Sequence, residues 1–283
     1  MDGSFWQDLA EVAFLRRAVL GMALTAVVCG VMGSYVLAQR RSYMVGAVSH
    51  SLLGGIALAR YMQVVHGWLW FTPLLGALLA GCLSGVAVGL LTLRGRLRED
   101  SVLSAVWSLG VAVGVSVIAI TPGYAEDLNS YLFGSIMMIS ANDLLVMTGL
   151  ALVLLALAWI FHPRFLALCF HEENLRLRGV SSEWVSLVLQ VMTALTVALM
   201  SQVVGIVLVL ALLVLPVATA ALFARRLGGI MLLSVLLCFA YCFGGLYISY
   251  EPNLPVGATI VELAGAGYLL AAAARWLWRR LRR

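Results

Sequence analysis

The chain is 283 residues long, 63% hydrophobic and 11% charged, with a formal net charge of +5. Soluble domains carry roughly 25% charged and 45–50% apolar residues, so this composition excludes a water-soluble globular protein and points to a membrane one. All 18 basic residues are arginine, which excludes a Walker-type phosphate loop, whose lysine must reach the nucleotide phosphates; the positive charge suits anionic lipid head groups and offers no nucleic-acid surface.

The first 17 residues, MDGSFWQDLAEVAFLRR, set apolar and polar residues at helical spacing, the pattern of an N-terminal helix lying in the membrane interface. The side of the membrane on which it lies is open. Apolar stretches near 20 residues, the length that crosses a hydrocarbon core about 30 Å thick, follow at 18–38, 44–63, 69–93, 101–121, 143–161, 183–200, 202–222, 229–249 and 255–274. They predict an all-α, polytopic transmembrane helix bundle of eight to nine spans, a single domain over 1–283. The lower number holds if one segment of the near-continuous pair 183–222, whose turn falls at Ser201, Gln202 and Gly205, is re-entrant. Arginines gather at Arg40 and Arg41, at Arg94, Arg96 and Arg98, at Arg164, Arg176 and Arg178, at Arg225 and Arg226, and in the basic tail 275–283. These are alternate loops, so the positive-inside rule puts them and the C-terminus in the cytoplasm. The opposite loops carry Glu126, Asp127 and Glu251, an acidic outer mouth that attracts cations.

Few polar residues lie inside the spans. Gly46, His50 and Gly54 recur every four residues and share one helix face, with Ser49 and Ser51 beside it. Two readings stay open: the glycines let a neighbouring helix approach and His50 only bonds across that contact, or the space is a path and the neutral imidazole is a ligand for zinc, manganese or ferrous iron. Glu262, in the last span, is the second such residue, since a carboxylate within a span usually faces the bundle interior or water. Arg60 is positioned to pair with it or to reach the interface. Three patterns fall short of chemistry. HEENL, 171–175, lacks the second histidine of a zinc-protease helix and reads as a solvated cytoplasmic loop. Ser84 in GCLSG lacks the spacing of an intramembrane protease and reads as helix packing. Cys238 and Cys242 are spaced four apart but read as small buried hydrophobes.

In their order and intervals, RRSYMVGAVSHSLLGGIAL, REDSVLSAVWSLGVAVG, DLNSYLFGSIMMISANDL, LRLRGVSS, VVGIVLVLALLVLPVATAALFARRL and LPVGATIVEL resemble the integral-membrane permease subunits of bacterial ABC transporters for zinc, manganese and iron. The resemblance implies a multi-pass inner-membrane permease, not itself an enzyme, paired with a second permease copy or paralogue. It implies two further partners: cytoplasmic ATPase subunits, and an extracytoplasmic binding protein that delivers the metal. No resident cofactor is implied; the cargo is a divalent ion, zinc first, then manganese or iron. His50 would line the path, with Ser49, Glu262 and Asp127 as neighbours. The family's aspartate one turn before this histidine is replaced here by Gly46. Segment 214–229 would be the coupling element docking on the ATPase, with Pro216, Ala220 and Arg225 as its candidates; its proline, small residues and arginines also read as a helix break at the cytoplasmic face. Tyr131 and Gly134 match a family block and read equally as packing. The alternatives are an ATP-independent channel or secondary transporter, and an ABC permease for a chelated iron or a vitamin.

Overall fold

The computed structural model describes residues 5–93, 97–122, 140–177, 179–252 and 254–281. Glu126, Asp127, Tyr131, Gly134, Arg94, Arg96 and Arg178 therefore lie outside the described residues, as does the end of the tail. The described residues are helical and contain no strand. A short helix α1 (Phe5–Glu11) precedes α2 (Ala13–Ala38), α3 (Ser42–His66), α4 (Pro73–Leu93), α5 (Glu99–Ile120), α6 (Ala141–Phe170), the short α7 (Glu172–Leu177), α8 (Ser182–Val204), α9 (Ile206–Phe223), α10 (Leu227–Tyr250) and α11 (Val256–Leu281). Nine of them are long and apolar enough to span a bilayer. The spans are helices because lipid offers no partner to a free backbone N–H or C=O. Buried hydroxyls obey the same constraint by donating to their own helix: Thr25 to the Gly21 carbonyl at 2.8 Å, Ser34 to Gly30 at 2.6 Å, Thr193 to Leu189 and Thr196 to Met192 at 2.8 Å.

Several boundaries differ from the sequence reading, each for a physical reason. The pair 183–222 is two helices, because Gly205 takes a φ of 88°, a conformation that side chains disfavour, and turns the chain there. Helix α6 runs on through Pro163 to Phe170, since a proline removes one ladder bond but a packed neighbour, here the fully buried Phe165, can hold the next turn. Segment HEENL is not a loop throughout: after His171 it begins the helix α7. Residues 275–281 continue α11. Pro216 does not break α9, which ends seven residues later where Ala224 turns extended.

Helices α2, α3 and α8 form the middle of the bundle. Across lipid there is no hydrophobic drive between helices, so association depends on close fit. On α3, Gly55 meets Gly76 of α4 so tightly that a Cβ on either would strike the other's carbonyl oxygen. On its other side Gly110 of α5 lies against the backbone of Ser51. The short α1 closes one end: Phe5 packs edge-on against Tyr247 and Tyr250 with centroids 5.2 Å away, and Tyr250 donates to an Asp8 carboxylate oxygen at 2.5 Å. At the other end, Arg41 of the α2–α3 turn pairs with Glu99 at 3.6 Å and donates to Ser186 of α8 at 3.0 Å.

A half-buried polar contact ties α2 to α6: the Tyr35 hydroxyl stands 2.6 Å from Nδ1 of His162. Tyr35→Phe keeps the ring and strands that nitrogen, so it should cost about 1 kcal/mol and lower the melting temperature in detergent by a few degrees; an unchanged midpoint would mean the bond adds nothing.

Candidate functional site

Helix α3 carries His50 because its residues from Ser42 onward are helix-compatible and its glycines are placed where other helices cross. The imidazole is half-buried and lies parallel to the indole of Trp107 on α5, ring centroids 4.4 Å apart and planes 11° apart. Among the described residues no hydrogen bond reaches its ring nitrogens. A neutral imidazole has one nitrogen with an in-plane lone pair and one N–H, so a stacked neighbour covers a π face and leaves that lone pair free for a ligand. His162, inside α6, differs in this respect: its Nδ1 stands 2.6 Å from the Tyr35 hydroxyl.

The glycines flanking His50 are not equivalent. A Cβ on Gly54 would stand 3.1 Å from the carbonyl oxygen of Gly110, so Gly54 serves the α3–α5 contact. A Cβ on Gly46 would meet only side-chain ends, Leu210 Cδ1 at 3.3 Å and Trp107 Cζ3 at 3.7 Å. Packing explains the one and not the other. Ser49 is fully buried and its hydroxyl has no partner among the described residues. Ser51 donates to the Val48 carbonyl at 2.8 Å.

The other candidates are dispersed. Glu262 is exposed on α11, a helix that packs chiefly on α9 and α10, so it is not gathered beside His50 within the described chain. Arg60 donates to Gln63 at 3.4 Å and forms no ion pair with Glu262. Asp127 lies outside the described residues, and Glu251 is exposed at the end of α10. Among the described residues no group of three or more His, Cys, Asp or Glu side chains converges to hold a metal. Cys238 and Cys242 are fully buried, as is Cys29. Ser84 is buried and donates to the Gly81 carbonyl at 2.9 Å, a hydroxyl occupied by its own helix.

At the arginine-bearing end, Pro216 and Ala220 are buried within α9, whereas Arg225 is exposed in the turn before α10. Two features of the structure have no counterpart in the sequence reading. One is α7 itself; the other, elsewhere in the bundle, is a cavity of about 430 Å³ between α3, α4 and α5, lined by Gly54, Gly76, Leu83 and Val113. A further cleft of about 520 Å³ lies against α7, with Arg164 and His171 on its wall. Six residues of α7 are too few for an amphipathic period to show in the sequence.

Residues 11–275 match the family described as the ABC 3 transport family. The chain is 36% identical over 269 residues to a "Probable metal transport system membrane protein" of Chlamydia pneumoniae, covering 95% of this chain and 91% of the relative. It is 30% identical over 273 residues to the "Manganese transport system membrane protein MntC" of Halalkalibacterium halodurans, covering 94% and 89%. Among solved structures it is similar to PsaBC from Streptococcus pneumoniae in complex with Fab, with a TM-score of 0.82, 27% identity and 94% of each chain covered.

The unequal glycines predict unequal substitutions. Gly110→Ala drives a methyl into the Ser51 backbone and should destabilise by about 1–3 kcal/mol. Gly46→Ala should be neutral or stabilising by up to about 1 kcal/mol, since alanine is the better helix former. Thermal unfolding of the purified chain in detergent checks both, and equal losses would show that Gly46 too is a packing glycine.

Proposed function

The chain belongs to the ABC 3 transport family, as a membrane permease subunit for metal transport, and on that premise we propose that it carries a divalent metal ion inward across a bacterial inner membrane. A separate pair of cytoplasmic ATPase subunits drives the cycle, and an extracytoplasmic binding protein delivers the ion. The observation that carries this reading is His50: a half-buried imidazole in a span, held by stacking, with no hydrogen bond to its nitrogens among the described residues. One chain supplies no three-ligand group among those residues, so the path runs where a second permease, a copy or a paralogue, brings its own histidine. The face of α5 away from α3 suits that role, since only 11% of its most apolar stretch is buried in one protomer against 72% for α3.

Zinc is the first cargo, because an imidazole without an adjacent carboxylate favours a borderline ion over manganese, which prefers oxygen. Relatives named for manganese make that ion the alternative, and ferrous iron follows. The ion enters past Glu251 and Asp127, pauses at His50 beside Ser49, and is released inward; Glu262 joins if the second permease covers α11. The weak hold is useful, because a station that bound tightly would not let go. Arg225, on the exposed turn between α9 and α10, contacts the ATPase; Pro216 and Ala220 support it from inside α9. The C-terminus lies in the cytoplasm with the arginine loops.

The test is ATP-dependent uptake of zinc, manganese and ferrous iron into vesicles holding the permease, ATPase and binding protein. His50→Ala should lower uptake of the cargo at least tenfold, roughly what even indirect disturbance of a ligand costs, with assembly intact. Undiminished uptake would return His50 to a packing role.

A further inference from the structure

The metal reading gives no reason for a tryptophan beside its histidine, yet Trp107 performs two tasks there at once. Its ring lies parallel to the imidazole of His50 at 4.4 Å, and its Cζ3 atom stands beside Gly46, 3.7 Å from where a Cβ would be. Together with Leu210 it fills the space one helical turn before His50 with carbon. No oxygen ligand projects from that turn. Trp107 is 45% exposed within one protomer, so its ring is not enclosed by its own chain, and its approach to α3 is fixed by the backbone contact of Gly110 with Ser51 one turn along.

We infer that Trp107 is the positioning and selectivity residue of the His50 station: its indole fixes the plane of the imidazole and lines the approach with an aromatic wall in place of a carboxylate. A fixed plane fixes the direction of the in-plane lone pair. A π face attracts a cation electrostatically without bonding to it, so the ion is drawn in by the wall and His50 supplies a nitrogen ligand with no carboxylate one turn before it. Ions that accept nitrogen, such as zinc and cobalt, are admitted; manganese, which needs hard oxygen donors, is disfavoured. The choice of ion rests on the transport reading, while the geometry of the stack does not.

The experiment uses the full chain in lipid nanodiscs with cobalt as the probe, because cobalt quenches an adjacent indole. The emission lost in Trp107→Phe is the signal of Trp107. Cobalt should quench that signal, zinc should restore it, and manganese at the same concentration should not; in His50→Ala the half-quenching concentration should rise about tenfold. Cobalt quenching that is the same in wild type and Trp107→Phe overturns the inference, as does manganese displacing cobalt as well as zinc does. In reconstituted transporter, Trp107→Ala should raise KM for zinc about tenfold with little change in kcat, while Trp107→Phe, which keeps a flat ring, should stay within about twofold of wild type. A merely structural role would lower kcat and assembled protein together. The nanodisc measurement needs no transport, so the two readings fail separately: uptake without His50-dependent quenching sinks the inference alone, and quenching without uptake sinks the transport reading alone.

Discussion

The contact on which the rest of the structure depends is the approach of α3 to its two neighbours, Gly55 against Gly76 on one side and Ser51 against Gly110 on the other. In lipid, apolar side chains gain nothing by leaving one another for hydrocarbon, so a helix is held by how nearly backbones can touch. Removing the side chain at the crossing points brings α4 and α5 in, and with α5 comes the Trp107 ring. The site is thus a consequence of the packing. Had α5 stood a methyl's width further out, no stack at 4.4 Å would form, and His50 would turn freely between rotamers.

His50 and His162 show two ways in which a histidine is held inside a span. His162 is fixed by Tyr35 at 2.6 Å, beside Phe165, whose ring centroid lies 5.3 Å from that of Tyr35; its polarity is spent on joining α2 to α6. His50 is fixed by a ring face. A polar group in the low dielectric of a bundle is costly unless paired, so an imidazole held without spending a nitrogen points to a pairing that occurs only when something passes. Ser49, buried without a partner among the described residues, is in the same condition one residue away.

Much of this was legible in the sequence, and the limits follow from what sequence encodes. The spans were legible because hydrocarbon thickness sets a length. His50 was legible as an anomaly, a titratable residue among glycines. Helix ends were less so: Pro216 reads as a helix break, but the helix continues past it, as α6 continues past Pro163. Glu262 fits any face of an isolated helix, and only the neighbours of α11 put it on the exposed one. Trp107 was passed over because its relation to His50 lies across two helices 57 positions apart in sequence, where no local spacing reaches.

The distribution of burial carries the last step. Helix α3 is enclosed, while α5, the helix that covers its histidine, is almost bare on its far side. The imidazole sits at that boundary, stacked on the Trp107 indole, with no group of three acidic, His or Cys side chains gathered around it among the described residues. Two such half-stations facing one another would give a pair of nitrogens between two aromatic walls. That arrangement holds a borderline ion by few ligands, and a site with few ligands can be dismantled by moving the two permeases apart, because each ligand stays with its own rigid helix pair. Selectivity would then come from donor chemistry and release from geometry, with neither requiring α3 itself to deform.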